Sequence, residues 1–190
     1  LIIIDEAYAD FAEETMISWA VRTPRLLVAR TASKAFGLAG LRCGFGVAQP
    51  ETTLEIEKSR GPYKVSLLAA EAATAALLDK EGWMAGTVAE CLANRARLTD
   101  ALRTRGLEPL ESRTNFVLFA SPSGSASDDA LALRELGIAV RPFAGIEAIG
   151  ESLRVTVGPW PLMERFLDAL DATTWATEPK GADPPRGGAA

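Results

Sequence analysis

Short apolar runs separated by polar stretches mark the first part of the chain. Residues 1–5, 26–31 and 43–48 are mostly apolar and are short enough for strands. Continuous apolar runs of this length are typical of strands that are covered on both faces of a sheet. The stretches at 16–22 and 50–58 have helical composition and lie between or after these runs. The pattern therefore predicts an α/β arrangement in which helices cover a sheet.

The pattern changes character further along the chain. Residues 65–80 and 87–105 are rich in helix formers, and Gly106 follows the second stretch as a left-handed helix cap. The remaining predicted elements are strands at 115–120, 138–141 and 152–157, a helix at 128–136 with Ser127 as its cap, and a helix at 161–170. This alternation predicts a compact α+β domain.

These elements divide the sequence into three predicted regions. Residues 1–81 are the last part of a large domain with a linking helix, and residues 82–173 are a smaller α+β domain. Residues 174–190 are rich in Pro, Gly and Ala, which predicts a disordered tail. Because residue 1 already lies in an apolar strand, whose neighbouring strands must come from elsewhere, we expect a further part of the protein to precede this segment.

The composition limits which binding partners and which kinds of catalytic or metal site the sequence can provide. The net charge of −5 and the lack of Lys and Arg clusters argue against nucleic-acid binding. No apolar run approaches the roughly 20 residues that cross a bilayer. The sequence contains no histidine, which excludes Ser–His and Cys–His pairs, and its two cysteines lack metal spacing. We therefore expect no metal site and a reduced, cytoplasmic environment.

The first candidate group is Asp5, at the end of the first predicted strand. Open α/β sheets place ligand-binding side chains at such strand ends. A solvated acidic loop is the simpler interpretation of Asp5 alone. The metal-holding acid of a nucleotide hydrolase is a third, but the phosphate loop GxxxxGK[ST] that it needs does not occur in this sequence.

The second candidate is Lys34, which follows the strand at 26–31. A lone lysine is usually a surface charge, but an amine held at a strand end can trap an aldehyde covalently. Gly37 and Gly40 then allow close backbone approach, and Arg42 offers a planar fork that suits a phosphate. The order of these residues makes this segment a candidate phosphate and aldehyde site.

Two further arginines and one asparagine are candidates in the second half. Arg154 interrupts an alternating apolar strand, so it must face water, an acid or a bound anion such as a substrate carboxylate. Arg141 is a candidate for the phosphate end of a substrate or for an ordinary ion pair. Asn115 is a candidate for the substrate carboxylate region or for capping a strand.

Together these segments resemble the fold-type I pyridoxal-phosphate aminotransferases of classes I and II, and most of all their histidinol-phosphate branch. The resemblance extends over roughly residues 1–170. Ala32 departs from it, since an aromatic residue is common there, and the family's Gly-rich turn, ring-stacking aromatic and asparagine would precede this segment. The motifs that carry it are Asp5-Glu6-Ala7-Tyr8, Ser33-Lys34-Ala35-Phe36-Gly37-Leu38-Ala39-Gly40-Leu41-Arg42, Thr114-Asn115-Phe116 and Leu153-Arg154-Val155-Thr156-Val157-Gly158.

The resemblance implies a three-layer large domain with a mostly parallel sheet, and pyridoxal 5'-phosphate as cofactor. Lys34 would bind the cofactor covalently and move the proton between the substrate Cα and cofactor C4′. Asp5 would pair with the pyridine nitrogen and Tyr8 with the phenolic oxygen. The phosphate would be held by Ser33 and Arg42 with help from Thr31, and the substrate α-carboxylate by Arg154.

The implied reaction moves an amino group between histidinol phosphate and 2-oxoglutarate, in a homodimer. The partners are therefore a small amino donor and a 2-oxo acid. The same motifs also fit an aromatic aminotransferase or a phosphothreonine decarboxylase. An inactive scaffold with a binding role is the alternative from another class.

Overall fold

The computed structural model describes residues 1–147 and 149–173, which form two compact units. Unit 1 contains Leu1–Ala93 and Arg113–Asn115, and unit 2 contains Asn94–Ser112 and the described residues from Phe116 onward. The units divide within a helix, Trp83–Arg103. The domain limits predicted from the sequence, with a boundary after residue 81, stay a prediction. The predicted disordered tail at 174–190 lies outside the described residues.

Unit 1 contains a small sheet and several helices. Its elements are β1 (Ile2–Asp5), α1 (Ala9–Ala12), α2 (Ile17–Ala20), β2 (Leu26–Thr31), a 3-10 turn (Ala39–Leu41), β3 (Gly44–Ala48), α3 (Pro50–Ser59), α4 (Leu67–Leu77) and the first part of α5 (Trp83–Arg103). The three strands, α2 and α3 lie within a residue or two of their predicted bounds. Periodicity missed α1 and the 3-10 turn, since neither completes two helical turns.

The sheet of unit 1 has the order β1-β2-β3. β1 and β2 are parallel, whereas β2 and β3 are antiparallel. The expectation of a mostly parallel sheet is therefore wrong for these three strands, which form a mixed sheet. The connection from β2 to β3 contains only a 3-10 turn, and a parallel crossover needs a longer connection, usually a helix.

Two hydrophobic clusters support this sheet and the loop that follows it. Ala20, Leu26 and Val28 form the first cluster, against which Ile4 and Val47 pack. The second cluster lies around the loop after β2. Its buried members are Phe11, Ala32, Ala35, Phe36, Ala73 and Val88. The small side chains at 32 and 35 place the loop backbone close to α4 and α5.

The first residues of β1 are exposed although they are apolar. Leu1, Ile2 and Ile3 are 67%, 64% and 60% exposed. β1 is the edge strand of this sheet and, among the described residues, pairs with β2 alone. Ile4, by contrast, packs beside Leu26 and Val28.

Unit 2 is an antiparallel sheet with helices. Its elements are the second part of α5, β4 (Phe116–Ala120), α6 (Ala126–Glu135), β5 (Arg141–Ile146), β6 (Gly150–Thr156) and α7 (Trp160–Asp171). The strand order is β4-β6-β5. Phe119, Leu133, Leu153 and Phe166 are buried on the sheet and helices.

Two predicted features of unit 2 are wrong. Ser125, and not Ser127, caps α6 by accepting from the backbone N–H of Asp128, and residue 127 lies inside the helix. The strand predicted at 138–141 begins only at Arg141. The backbone N–H of Ile138 instead donates to the carbonyl of Leu133 and closes the end of α6. Among the described residues, no helix is long and apolar enough to cross a membrane.

Candidate active site

The carboxyl ends of two parallel strands bring the first candidate residues to one edge of the sheet. Asp5 is the last residue of β1 and is in register with Ala29 of β2. The ladder continues one residue further, since the backbone N–H of Glu6 donates to the carbonyl of Ala29 at 2.9 Å. β2 ends at Thr31, so the loop that carries Lys34 leaves the sheet at the edge where the turn after Asp5 begins.

The turn after β1 fixes the carboxylate of Asp5. Its Oδ1 accepts a hydrogen bond of 2.9 Å from the backbone N–H of Ala7. This is a local side-chain turn of the kind that Asp residues form at the ends of strands. Tyr8 follows and immediately precedes α1. Asp5 is exposed at this edge, where a ligand can reach its carboxylate.

The loop after β2 is closed on itself and presents Lys34. The backbone N–H of Ser33 donates to Thr31 Oγ1 at 3.1 Å, and that of Leu38 donates to the carbonyl of Ala32 at 3.0 Å. Lys34 is exposed, and its Nζ lies 5.5 Å from the centroid of the Tyr8 ring. A cation at this distance from a ring face is attracted by it. The structure therefore brings the candidate amine and the candidate phenol together.

Gly37 is needed where it stands in this loop. Its φ of +68° lies in the left-handed region, which side chains with a Cβ rarely adopt. A Cβ there would also lie 3.3 Å from the ring of Trp83. At Gly40, by contrast, a Cβ would meet nothing within 4 Å, so close approach of a ligand to this second glycine stays a prediction.

Arg42 ends the 3-10 turn with a φ of +52°, an uncommon backbone conformation for a non-glycine residue. Its Nη1 donates to the carbonyl of Ala39 at 3.1 Å, and the side chain is otherwise exposed. Most of its donors therefore remain available to an anion. Ser33 is half-buried, and its backbone, not its hydroxyl, makes the bond to Thr31.

An open cavity of about 670 Å³ lies beside the Asp5 turn. Asp5 and Tyr8 line it together with Arg113, which pairs with Glu14 across 2.5 Å. Lys34, Ser33 and Arg42 are not among its lining residues. In the described part of the chain, no group of three or more metal-ligating side chains is placed to hold a metal ion.

A buried ion network beside this site was missed by the sequence reasoning. Arg30 Nη1 lies 3.2 Å from Glu6 Oε2, and Arg30 Nη2 lies 2.6 Å from Asp10 Oδ1. Arginine inside the apolar strand 26–31 was the available signal. It is the same signal that singled out Arg154, and the neighbouring acids supply the partners.

Arg154 and Arg141 lie directly opposite each other on β6 and β5 of unit 2. The Arg154 guanidinium lies 4.9 Å from the Phe116 ring and 5.7 Å from the Phe143 ring. Its Nε is buried and has no hydrogen-bond partner among the residues that the structure describes. A buried donor without a partner is costly, and an anion would satisfy it.

Asn115 is the remaining candidate. It is half-buried in the short segment 113–115 that belongs to unit 1, directly before β4. Its place beside Arg113 and Thr114, which both line the cavity, keeps it a candidate for the substrate region. The structure thus joins Lys34 with Tyr8, and Asp5 with Tyr8, around one strand edge.

An acid, a phenol and an amine thus lie at the carboxyl edge of the unit 1 sheet. The family model for aminotransferase class I and II matches residues 1–170. The chain therefore belongs to the class I and II aminotransferase family.

Two curated relatives are histidinol-phosphate aminotransferases from bacteria. The one from Gluconacetobacter diazotrophicus is 42% identical over 173 residues, which cover 90% of this chain and 48% of the relative. The one from Acetobacter pasteurianus is 41% identical with the same coverage. The chain thus spans about half the length of the curated relatives it matches.

Solved structures show the same likeness. Histidinol-phosphate aminotransferase from Sinorhizobium meliloti, solved in complex with pyridoxal-5'-phosphate, has a TM-score of 0.76 and 30% identity. The alignment covers 90% of this chain and 47% of that one. An aminotransferase structure from Burkholderia pseudomallei has a TM-score of 0.76 and 32% identity, with coverages of 88% and 51%. The chain therefore has the fold of these aminotransferase structures over about half of their length.

Proposed function

We propose that this chain is the lysine-bearing part of a pyridoxal-phosphate-dependent aminotransferase that moves an amino group between histidinol phosphate and 2-oxoglutarate. The observation that carries the proposal is the edge of the unit 1 sheet, where Lys34 lies against Tyr8 and the Asp5 turn leaves the parallel neighbour of the Lys34 strand. We also propose a cytoplasmic homodimer that binds neither nucleic acid nor membrane.

The side chains present fit the cofactor group by group. Asp5 lines the cavity and offers a carboxylate whose Oδ1 is fixed by the backbone N–H of Ala7, which suits a protonated ring nitrogen. Lys34 is exposed and suits an aldehyde. The free donors of Arg42 suit a phosphate, together with Thr31 at the end of β2 and Ser33 in the loop that follows.

When bound, the cofactor supplies an electron sink for the charge that develops at the substrate Cα. The work of this chain's residues is to bind and to move a proton. Asp5 would pair with the protonated ring nitrogen, and Tyr8 would donate a hydrogen bond to the phenolic oxygen. Lys34 would hold the cofactor through its amine and, as a free amine once the substrate amine has replaced it, would move the proton between the substrate Cα and the C4′ atom.

Arg154 and Arg141 are proposed to bind the anionic groups of the substrate. Arg154 holds the α-carboxylate with its planar fork, since its buried Nε needs an acceptor. Arg141, directly opposite on β5, binds the phosphate of histidinol phosphate, which has no carboxylate, whereas the α-carboxylate that Arg154 holds is that of 2-oxoglutarate. Asn115 is proposed to assist at the carboxylate.

Covalent trapping tests the cofactor lysine directly in the 190-residue chain. The chain is mixed with pyridoxal 5'-phosphate, the lysine-bound cofactor is reduced with borohydride, and labelled lysines are found by mass spectrometry. We expect Lys34 to carry the label in excess over Lys58, which is exposed and paired with Glu55. Lys34→Ala should remove the dominant label, and Lys58→Ala should leave it. An even distribution over all lysines would reject the site.

Substrate choice needs a complete active site. A chimera in which the first half of the Gluconacetobacter relative precedes residue 1 should transfer the amino group from histidinol phosphate to 2-oxoglutarate. Lys34→Ala in the chimera should reduce turnover by several orders of magnitude, because both covalent binding and proton transfer are lost. Loss of carbon dioxide from phosphothreonine by the chimera would favour the decarboxylase instead.

A further inference from the structure

Arg30, Glu6 and Asp10 form an ion network close to the proposed site but outside its contacts. Arg30 is the next-to-last residue of β2, four residues before Lys34, and Glu6 directly follows Asp5. The side chains of Arg30, Glu6 and Asp10 are only 12%, 7% and 14% exposed. Ion pairs at this degree of burial are screened far less than surface pairs.

The network lies on the opposite face of the strands from Asp5. Side chains alternate along a strand, so Glu6 continues the face of Ile4, and Arg30 continues the face of Val28. Ile4 and Val28 belong to the cluster beneath α2. The ion network therefore lies on the Ile4 and Val28 face of the strand ends, while the side chain of Asp5 lies on the opposite face.

Glu6 also ties down the chain between β1 and α2. Its carboxylate accepts from Thr15 Oγ1 at 2.8 Å and from the backbone N–H of Met16 at 2.5 Å. Asp10 lies on α1 and reaches Arg30 directly. The segment 6–16, which includes Tyr8, is thus attached to Arg30 of β2. Glu6 and Asp10 bind Arg30 directly, and Met16 is connected to it through Glu6.

Arg30 is the cation of this network, and it binds both acids, Glu6 and Asp10. Its fork serves both carboxylates at once, which a single ammonium group does less well. Without it, the carboxylates of Glu6 and Asp10 would face each other at low exposure and repel. The segment that carries Tyr8 would then move away from β2.

We propose that Arg30, Glu6 and Asp10 are positioning residues that fix Tyr8 and the Asp5 turn relative to Lys34. That the network serves an active site rests on the proposed function, but its effect on the position of residues 6–16 does not. The network acts through the backbone of residues 6–16, and none of its members needs to touch the cofactor.

The test uses the 190-residue chain without cofactor. One readout is amide hydrogen exchange of peptides within 5–16, and the other is the acetylation rate of Lys34 relative to that of Lys58. The Tyr8 ring lies 5.5 Å from Lys34 Nζ, so losing this contact opens the side of the exposed amine that the ring covers. Arg30→Met should speed exchange in 5–16 and raise the Lys34 to Lys58 rate ratio several-fold, with exchange in unit 2 unchanged.

Matched variants separate positioning from general destabilisation. Arg60→Met breaks an exposed pair with Glu57 in the same unit and should change neither readout. Tyr8→Leu should raise the Lys34 ratio without faster exchange at 10–16. Arg30→Lys should change both readouts less than Arg30→Met does, because lysine keeps the positive charge.

Asp10→Asn decides the question even if Arg30→Met does not fold. It removes the ion pair between Arg30 and Asp10 and leaves the pair between Arg30 and Glu6, so it should produce the same two changes to a smaller extent. Parent values for both readouts in Asp10→Asn would overturn the proposal. Failure of pyridoxal 5'-phosphate to label Lys34 in the parent chain would instead count against the proposed function, since neither readout here needs the cofactor.

Discussion

Arg154 and Arg141 are residues whose local environment favours binding over stability. They are cross-strand neighbours of equal charge, and like charges in that position destabilise a sheet. Neither forms an ion pair within the described part of the chain. The aromatic rings of Phe116 and Phe143 offset part of this cost.

Replacing Arg154 should therefore stabilise unit 2 while weakening anion binding. Arg154→Met removes the repulsion and the unpartnered Nε, and keeps a long apolar stem beside the two rings. We expect the free energy of unfolding to rise by about 0.2–1 kcal/mol. Thermal unfolding measures this change, with Arg134→Met on the exposed face of α6 as the control. A loss of stability larger than that of the control would show that Arg154 is structural.

At the residue scale, the sequence predicted the candidate site residues better than the residues that hold them in place. Lys34, Asp5 and Tyr8 were found because they end strands or stand in a recognisable motif, and the structure places them at one edge. Arg30 was missed because its acids, Glu6 and Asp10, come from another strand end and a short helix. Such pairing depends on the strand register, which spacing along the chain does not reveal.

At the scale of elements, one surface ion pair joins two helix ends in unit 2. Arg105 donates from Nε and Nη2 to the two carboxylate oxygens of Asp171, each at 2.6 Å. The hydrogen bond from Arg105 lowers the pKa of Asp171 below its ordinary value of 3.8, against the opposing effect of burial. The pair thus connects the chain just after α5 to the end of α7.

The stability that Asp171 contributes should depend on pH in a defined direction. A carboxylate with a lowered pKa stabilises the folded state above its unfolded pKa, and this contribution is lost as the pH falls through the folded pKa. Because the side chain of Asp171 is 49% exposed, solvent screening limits the effect. We expect Asp171→Asn to cost about 0.5 kcal/mol near neutral pH. The difference from the parent should shrink as the pH falls below 3.8.

Urea unfolding of both chains at several pH values checks this prediction. Asp100→Asn is a suitable control, because its pair with Arg103 is a looser contact of 3.5 Å on one helix. A difference that grows toward low pH would contradict the assigned direction of the pKa shift.

Element limits followed from the sequence wherever a run was apolar and bounded. β2 was predicted with its observed limits, Leu26–Thr31, because Pro24 and Arg25 precede its apolar run and the polar residues Arg30 and Thr31 end it. β5 was displaced because Ile138 and Val140 alternate like a strand, yet they follow the glycine that ends α6. The observed strand includes Pro142 and Gly145, which are poor strand formers, so its pairing with β6 overrides local preference.

At the scale of the whole molecule, the chain exposes apolar surface in unit 1. The outer edge of β1 pairs with no strand among the described residues, and Ile2 and Ile3 are mostly exposed. Leu67 and Leu68 at the start of α4 are 76% and 78% exposed. An unpaired edge with apolar side chains promotes pairing with another chain.

The last prediction concerns the 190-residue chain in isolation. The exposed surface of β1 and α4 should make it self-associate as its concentration rises, and it should bind pyridoxal 5'-phosphate weakly with no measurable amino transfer. The alignment with the Gluconacetobacter relative covers 48% of that protein. Ile3→Lys places a charge on the edge strand and should reduce association, as charges on natural edge strands do. Leu131→Lys replaces a similarly exposed leucine in unit 2 and should not. Sedimentation over a concentration series, with absorbance and glutamate-dependent turnover on the same samples, measures all three properties. A monomer with normal turnover would refute the prediction, and equal effects of the two lysine variants would locate the association outside β1.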